Sequence, residues 1–217
     1  MNTNKKNSSL VVWPRTPKFT TGCKDVDTLL HGGWSCGKQI EIFGLEGVGK
    51  TTLLLHTISE AIKRGKLVYY LDLDNSITWN WANTLGVFKD KVYTLDSNRS
   101  LFINGTLPME DALDLIIKIL PYTPIIVVDS VVNLIPRSFL KGAKYDYKKQ
   151  GKILAKYIPI IQKICNKTKH NVFWINQYRF SFIDDMYKTV GSHILGFWCA
   201  YRVSLKHHLH LLNLQEN

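Results

Sequence analysis

One eight-residue segment of the chain has the residue types and the spacing of a phosphate-binding loop. It reads Gly44-Leu45-Glu46-Gly47-Val48-Gly49-Lys50-Thr51 and fits the pattern Gly-x-x-x-x-Gly-Lys-Ser/Thr. Glycines let backbone N–H groups curl around phosphates, a lysine at this position reaches the β- and γ-phosphates, and a threonine hydroxyl ligates Mg²⁺. We therefore predict a nucleotide site made by these residues and Thr52, with Lys50 and Thr51 at its centre.

Three aspartates follow apolar runs that have the length of strands. Asp129 comes after residues 125–128, and Asp72 and Asp74 come after residues 67–71. Ligands of open α/β sheets bind at the carboxyl ends of the strands, so Asp129 is predicted to complete the metal site; the alternative is a helix N-cap. Alternation puts Asp72 and Asp74 on one side of an extended backbone, where one of them would polarise the attacking water. The alternative is that they only begin a turn.

The elements that would position these residues alternate between short apolar runs and longer amphipathic runs. Predicted strands cover residues 39–43, 67–71, 92–95, 125–128, 172–175 and 199–205, and predicted helices cover residues 50–64, 109–120 and 150–166. This alternation is typical of βαβ units, and a strand that is apolar on both faces is typical of the centre of a parallel sheet. The predicted fold class is α/β, with a mostly parallel central β-sheet flanked by helices.

Length and composition exclude several classes of protein. The 217 residues suit one domain of ordinary size, and 45% hydrophobic with 21% charged residues argues against a disordered chain, collagen or a coiled coil. The charged start of the chain is followed by no apolar segment, which predicts a protein that is neither secreted nor membrane-spanning. The four cysteines lack metal-binding spacing and are interpreted as reduced cysteines of a cytoplasmic protein.

The positive charge of the chain is concentrated in one segment. The formal net charge is +11, and residues 137–169 contain ten lysines and arginines but only one acidic residue. A surplus of this size predicts an acidic partner, with nucleic acid and anionic membrane as the first candidates.

Further motifs follow the phosphate loop in a fixed order. They lie at residues 70–74, 85–87, 127–131, 175–179, 191–195 and 201–203, after an opening segment at residues 19–37. In this order, from about residue 18 to 206, the chain resembles the ATPase core of RecA/RadA recombinases. It is similar in particular to short, core-only members such as RadB-like paralogs and compact phage recombinases. The resemblance implies a RecA-like P-loop ATPase fold and a DNA-dependent ATPase.

The resemblance also implies roles for single residues in hydrolysis. Lys50 and Thr51 would contact phosphate and Mg²⁺, and Asp129 would be the second carboxylate of the metal shell. Asp74 stands where the family has a glutamate as general base. Its side chain is one methylene shorter, so the resemblance implies slow hydrolysis.

Two further residues match nucleotide-sensing positions of the family. Gln177 falls on the residue that senses the γ-phosphate and signals to the DNA loop behind it. Trp81 falls where an aromatic ring stacks on adenine, and its alternative is a core tryptophan. Residues 166–169 begin like a guanine-reading Asn-Lys-x-Asp motif but lack its aspartate, which favours ATP over GTP.

In the family, two loops below the sheet hold single-stranded DNA, and they correspond here to residues 137–150 and 179–190. Both segments interleave cations with aromatic residues, which suits a site that tolerates any base sequence. The predicted DNA-binding residues are Arg137, Lys141, Lys144, Lys148, Lys149, Arg179, Phe180 and Lys188. Lys152, Lys156 and Lys163 are assigned instead to a solvated helix face.

The chain is predicted to consist of a flexible arm (residues 1–17), a RecA-like ATPase core (18–206) and a short tail (207–217), with no further domain. Residues 11–13 of the arm either dock on a neighbouring subunit or fold back on their own core. The expected function is that of an ATP-dependent recombinase acting on single-stranded DNA as a homo-oligomer or filament, in the cytoplasm or on the nucleoid, with a single-strand-binding protein or another recombinase as a further partner. The alternatives are a recombination mediator that uses ATP as a structural ligand and, less favoured, a small-molecule kinase.

Overall fold

A computed structural model describes residues 16–95, 102–144, 147–181 and 186–206 of the chain. Within them, the strands are β1 (Lys18–Phe19), β2 (Trp34–Ser35), β3 (Gln39–Gly44), β4 (Val68–Asp72), β5 (Tyr93–Thr94), β6 (Ile125–Asp129), β7 (Asn171–Ser181), β8 (Met186–Thr189) and β9 (Tyr201–Leu205). The helices are α1 (Lys24–Leu29), α2 (Lys50–Lys63), α3 (Trp79–Thr84), α4 (Met109–Ile119), α5 (Arg137–Leu140), α6 (Tyr147–Thr168) and α7 (Ser192–Trp198).

A six-stranded parallel sheet forms the centre of the fold. Its strand order is β5-β4-β6-β7-β3-β9, and β8 pairs antiparallel with β7 outside this path. The phosphate-loop strand β3 and the aspartate strand β6 are therefore separated only by β7. The order confirms the predicted fold class of a mostly parallel α/β sheet.

Helices cover both faces of this sheet, and strand β6 shows why its sequence is apolar throughout. Ile126 and Val128 belong to one hydrophobic cluster with residues of α4 and α6, whereas Ile125 and Val127 belong to a second cluster with residues of α2. All four side chains are at most 3% exposed. Burial of each such side chain stabilises the fold by about 1.5–3 kcal/mol, which explains why the strand carries no polar residue before Asp129.

Strand β7 is much longer than predicted, and it changes partners along its length. Its first half pairs with β3 and β6 inside the sheet, whereas residues 178–181 pair antiparallel with β8. The segment predicted as a loop at residues 179–190 is therefore mostly a β-hairpin. The alternation of aromatic and polar residues at 178–181 is typical of a half-exposed strand and was the available signal.

Other boundaries differ by a few residues. Helix α6 begins at Tyr147, and α5 occupies residues 137–140, so most of the first predicted DNA loop is helical. Strand β5 has only two residues and lies at the edge of the sheet.

The chain ends lie largely outside the described residues. This holds for residues 1–15 of the predicted arm, including Val11-Val12-Trp13, and for the whole predicted tail, so the division of the chain into arm, core and tail stays a prediction. In the part of the chain that is described, no helix is both long and apolar enough to cross a membrane.

Candidate nucleotide-binding site

The phosphate loop connects a buried strand to a long helix. Every residue of β3 is buried, and helix α2 begins at Lys50 directly after the loop. Gly49 precedes the helix with φ of 90°, in the left-handed region that favours glycine. A Cβ atom on Gly44 would collide with the carbonyl oxygen of Leu205 and with the Val48 side chain. The motif glycines are thus required by the backbone, and the positive end of the α2 dipole faces the loop.

The side chain of Lys50 lies against the loop backbone. It is 7% exposed, and its Nζ atom donates a hydrogen bond of 2.6 Å to the carbonyl oxygen of Leu45. Burial lowers the pKa of Lys50, while the negative charges of Asp129 and Glu46 oppose this effect. The ammonium group is therefore held at the loop, where the motif requires a cation for phosphate.

Asp129 and Thr51 are brought together although they are 78 positions apart in the chain. The Thr51 hydroxyl donates to Asp129 Oδ2 over 3.2 Å, and the carboxylate is 3% exposed at the end of β6. Its contacts are not those of a helix N-cap, so that alternative is not observed. A hydroxyl and a carboxylate oxygen are the hard ligands that suit Mg²⁺ shared with nucleotide phosphates, so these residues fit the implied metal.

Tyr70 is a residue of this site that the sequence reasoning missed. Its side chain is fully buried in β4, and its hydroxyl donates a hydrogen bond of 2.6 Å to Asp129 Oδ2. Burial, together with the charge of Asp129, raises the pKa of Tyr70, so the phenol stays protonated and remains a donor. A tyrosine in a buried strand needs a partner for its hydroxyl, and this was the signal that could have found it.

The environment of Asp129 predicts an unusual dependence of stability on pH. Burial raises the pKa of Asp129 from 3.8 to about 6, against the hydrogen bonds from Tyr70 and Thr51. Between these two pKa values the folded protein keeps a proton that the unfolded chain releases, so folding stability falls as pH rises from about 4 to about 6. Above pH 6 the total loss of folding stability from this group is about 3 kcal/mol.

Asp129→Asn removes this titration, and urea unfolding without nucleotide or Mg²⁺ measures the effect. We expect the variant to be more stable than the wild type at pH 7, with a smaller difference at pH 4.5. An equal difference at both pH values would contradict the assigned pKa of Asp129.

Asp72 and Asp74 both accept a hydrogen bond from the Ser76 N–H group, but their surroundings differ. Asp72 accepts hydrogen bonds from the N–H groups of Ser76 (3.0 Å) and Ile77 (3.2 Å), so the turn alternative holds for this residue. Burial raises the pKa of Asp72, and the neighbouring Asp74 contributes to the increase. Asp74 is exposed and accepts one longer bond, of 3.3 Å, from the Ser76 N–H group. Of the two carboxylates, Asp74 is the more accessible to water.

The structure locates Gln177 next to the phosphate loop and Trp81 on helix α3. The parallel register of β7 and β3 pairs Gln177 with Gly44, the first residue of the phosphate loop. Trp81 lies in α3 and is 50% exposed, so it is not a core tryptophan.

The predicted DNA-binding residues fall into three groups. Lys141, Lys144, Lys148 and Lys149 are exposed before and at the start of α6. Arg137 forms an ion pair with Asp111, and its backbone N–H donates a hydrogen bond of 2.8 Å to Glu110 Oε2. Arg137 thus anchors α5 to α4. In the hairpin, the backbone register pairs Arg179 with Lys188 and Phe180 with Tyr187, but the side chains of these four residues lie outside the described part. Lys152, Lys156 and Lys163 are exposed on α6, as expected of a solvated face.

Comparison with known proteins identifies the family. The family model for the RecA N-terminal domain matches residues 14–217. This chain belongs to the RecA family. It is similar to Protein RecA of Mesoplasma florum, with 34% identity over 183 residues that cover 81% of this chain and 52% of that protein. It is also similar to Protein RecA of Petrotoga mobilis, with 32% identity over 210 residues, 92% of this chain and 52% of that protein. The chain thus spans about half the length of these RecA relatives.

Proposed function

We propose that this RecA-family chain is an ATP-dependent recombinase that binds single-stranded DNA and acts in homologous recombination and DNA repair. The observation that carries the proposal is the register of β7 with β3. It places Gln177 beside the start of the phosphate loop, and the same strand continues into the hairpin that contains Arg179 and Phe180. A nucleotide at the loop and DNA at the hairpin would therefore contact one continuous strand. The resemblance of the chain to proteins named RecA supports the same function.

In the proposed reaction, the described residues bind and orient ATP. Lys50 contacts the phosphates, Thr51 and Asp129 hold Mg²⁺, and Trp81 stacks on the adenine ring. The metal, when bound, neutralises charge on the phosphates during transfer. Asp74 accepts the proton of the attacking water, and its short side chain together with its exposure keeps hydrolysis slow.

Hydrolysis measured with and without single-stranded DNA tests this function. At low salt we expect a higher rate of ATP hydrolysis when DNA is present, because DNA on the hairpin stabilises the arrangement of Gln177 at the loop. A mock purification that lacks the protein, measured alongside, gives the background from contaminating ATPases. Equal rates with and without DNA would contradict the proposal.

A recombination mediator is the second candidate, and the aspartate at position 74 is the observation that favours it. Such a protein would bind ATP as a structural ligand and help another recombinase, with little hydrolysis of its own. Negative-stain imaging with DNA and a non-hydrolysable ATP analogue separates the two candidates. Helical filaments support the recombinase, whereas isolated rings or monomers support the mediator.

Binding to single-stranded DNA is expected to weaken steeply with salt. If about five cations contact phosphates, log K falls with log salt at a slope near −3.5. The double variant Lys144→Ala/Lys149→Ala should reduce the magnitude of the slope by about 1.4, at about 0.7 per contact. Lys152→Ala/Lys163→Ala is the matched control and should leave the slope unchanged, because these exposed lysines lie on the solvated face of α6. Titrations by fluorescence anisotropy at several salt concentrations measure the slope for both double variants. An equal reduction of the slope in the two variants would show that the start of α6 is not the DNA interface.

A further inference from the structure

Strand β3 carries a fully buried carboxylate, Glu41, that precedes the phosphate loop and is not one of its residues. Both of its oxygens are occupied: Oε1 accepts a hydrogen bond of 2.8 Å from Asn176 Nδ2, and Oε2 accepts one of 2.6 Å from Arg202 Nε. The Arg202 side chain is 35% exposed, so the pair is only partly buried, and even a fully buried ion pair can often be replaced by apolar residues of similar size without loss of stability. Stability alone therefore does not account for a charged pair here, and its contacts point to a positioning role.

The partners of Glu41 hold both ends of the β7–β8 hairpin. On the outgoing side, Asn176 directly precedes Gln177, and its Oδ1 atom accepts the Gln177 N–H over 2.9 Å. On the returning side, the same Asn176 side chain donates to the carbonyl oxygen of Val190 over 2.8 Å. Arg202 Nη2 donates to Thr189 Oγ1 over 3.3 Å. Both strands of the hairpin are thus fastened to one carboxylate of the phosphate-loop strand.

Aromatic contacts provide a second connection between the same elements. The guanidinium of Arg202 lies over the ring of Phe43, 4.9 Å from its centroid, and Phe43 directly precedes the phosphate loop. Phe43 in turn meets Tyr178 edge-on, with ring centroids 5.4 Å apart. Cation–π and edge-to-face contacts of this kind have defined geometry, so they restrict how the hairpin base can move relative to the loop.

We propose that Glu41, Asn176 and Arg202 form a clamp that fixes the base of the β7–β8 hairpin to the phosphate-loop strand and thereby makes DNA affinity depend on bound nucleotide. This inference rests on the proposed function, in which the loop binds ATP and the hairpin binds DNA. The clamp residues contact neither ligand and act by position. When the clamp fixes the hairpin base, a shift of Gln177 on nucleotide binding also moves the β7–β8 hairpin. Without the clamp, residues at the hairpin base move instead, and the rest of the hairpin does not respond.

Glu41→Gln tests the clamp with almost no change in volume. The amide still accepts a hydrogen bond from Asn176, but it presents an N–H group to the Nε–H of Arg202, so the ion pair is lost. The affinity for a fluorescent single-stranded oligonucleotide is measured with and without a non-hydrolysable ATP analogue. In the wild type we expect the analogue to tighten DNA binding about tenfold, within the usual range of coupling between sites. The ratio of DNA affinity with the analogue to DNA affinity without it measures the coupling. In Glu41→Gln this ratio should approach one, while affinity for the analogue itself stays close to wild type.

Glu60→Gln is the matched control, because it breaks an ion pair with Lys63 that is exposed and remote from the hairpin, and its ratio should equal that of the wild type. Arg202→Lys retains the charge and should retain part of the ratio. If Glu41→Gln folds poorly, Glu41→Gln/Arg202→Gln replaces the charged pair by two amides that can bond each other. Hydrogen exchange of β7 and β8 amides is the second readout, and in the clamp variants the analogue should no longer slow it.

The outcomes separate the clamp from the function on which it rests. A wild-type ratio in the clamp variants overturns the clamp and leaves the proposed function intact. Equal losses of nucleotide and DNA affinity with an unchanged ratio show that Glu41 is merely structural, and they also overturn it. A wild type whose DNA affinity does not respond to the analogue contradicts the proposed function and the clamp together.

Discussion

Lys50→Ala is expected to lower ATP hydrolysis by at least about 100-fold, the usual consequence of removing a group that stabilises charge in a transition state. The Lys50 ammonium is held at the phosphate loop by its 2.6 Å bond to the Leu45 carbonyl oxygen, and alanine leaves no cation there. Phosphate release at saturating ATP and DNA gives the rate. Equilibrium binding of a fluorescent ATP analogue shows how much of the loss is binding and how much is catalysis.

Lys63→Ala is the control for this variant, because Lys63 lies on the same helix α2, is exposed and forms an ion pair with Glu60. It should hydrolyse ATP at the wild-type rate. If Lys50→Ala kept hydrolysis within a few-fold of the wild type while the background was negligible, the phosphate loop would not be the catalytic site.

Asp74→Asn is expected to lower hydrolysis by about 100-fold, at the lower end of the usual contribution of a general base. The amide keeps the size of the side chain and can still accept the N–H of Ser76, but it cannot take a proton from water. Because Asp74 is exposed and its negative charge opposes the charges of Asp72 and Asp129, folding stability should not fall, and nucleotide affinity should remain close to that of the wild type.

Asp72→Asn separates the roles of the two neighbouring carboxylates. Asp72 accepts two backbone N–H groups, from Ser76 and Ile77, and an amide has only one oxygen to accept them. We expect at most about 1.5–3 kcal/mol lower stability in urea unfolding, because the loss of a hydrogen bond to a charged group is partly offset by the removal of a partly buried charge, with hydrolysis close to wild type. The reverse pattern would make Asp72 the base. No turnover in the wild type or in either variant would support the mediator.

The parts of the candidate site that follow from local sequence were the parts that could be predicted. The phosphate loop needs glycines, a lysine and a threonine at fixed spacing, and each of these requirements is visible in residues 44–51. The apolar run before Asp129 indicates a strand buried on both faces, and the carboxyl end of such a strand is where the structure places the carboxylate, beside Thr51.

Contacts between distant segments could not be read in the same way. The Tyr70 hydroxyl meets Asp129 across 59 positions of the chain, and Arg137 forms an ion pair with Asp111 of helix α4. The hairpin was also missed, because residues 178–181 continue a parallel strand and only their antiparallel pairing with β8 shows that they form a hairpin. The sequence shows that a buried charge or hydroxyl requires a hydrogen-bond or ion-pair partner, but it does not identify the partner residue.

The sequence by itself determined the α/β class, the phosphate loop and the positive charge of residues 137–169, because hydrophobic periodicity, glycine conformation and charge are properties of short segments. Only the tertiary structure decided which charges are free for a ligand and which hold the fold together. Glu41 and Arg202 are 161 positions apart, and their pairing depends on β3 lying between β7 and β9. Strand order of this kind is set by the packing of the whole sheet between its two helical layers, so no local pattern specifies it.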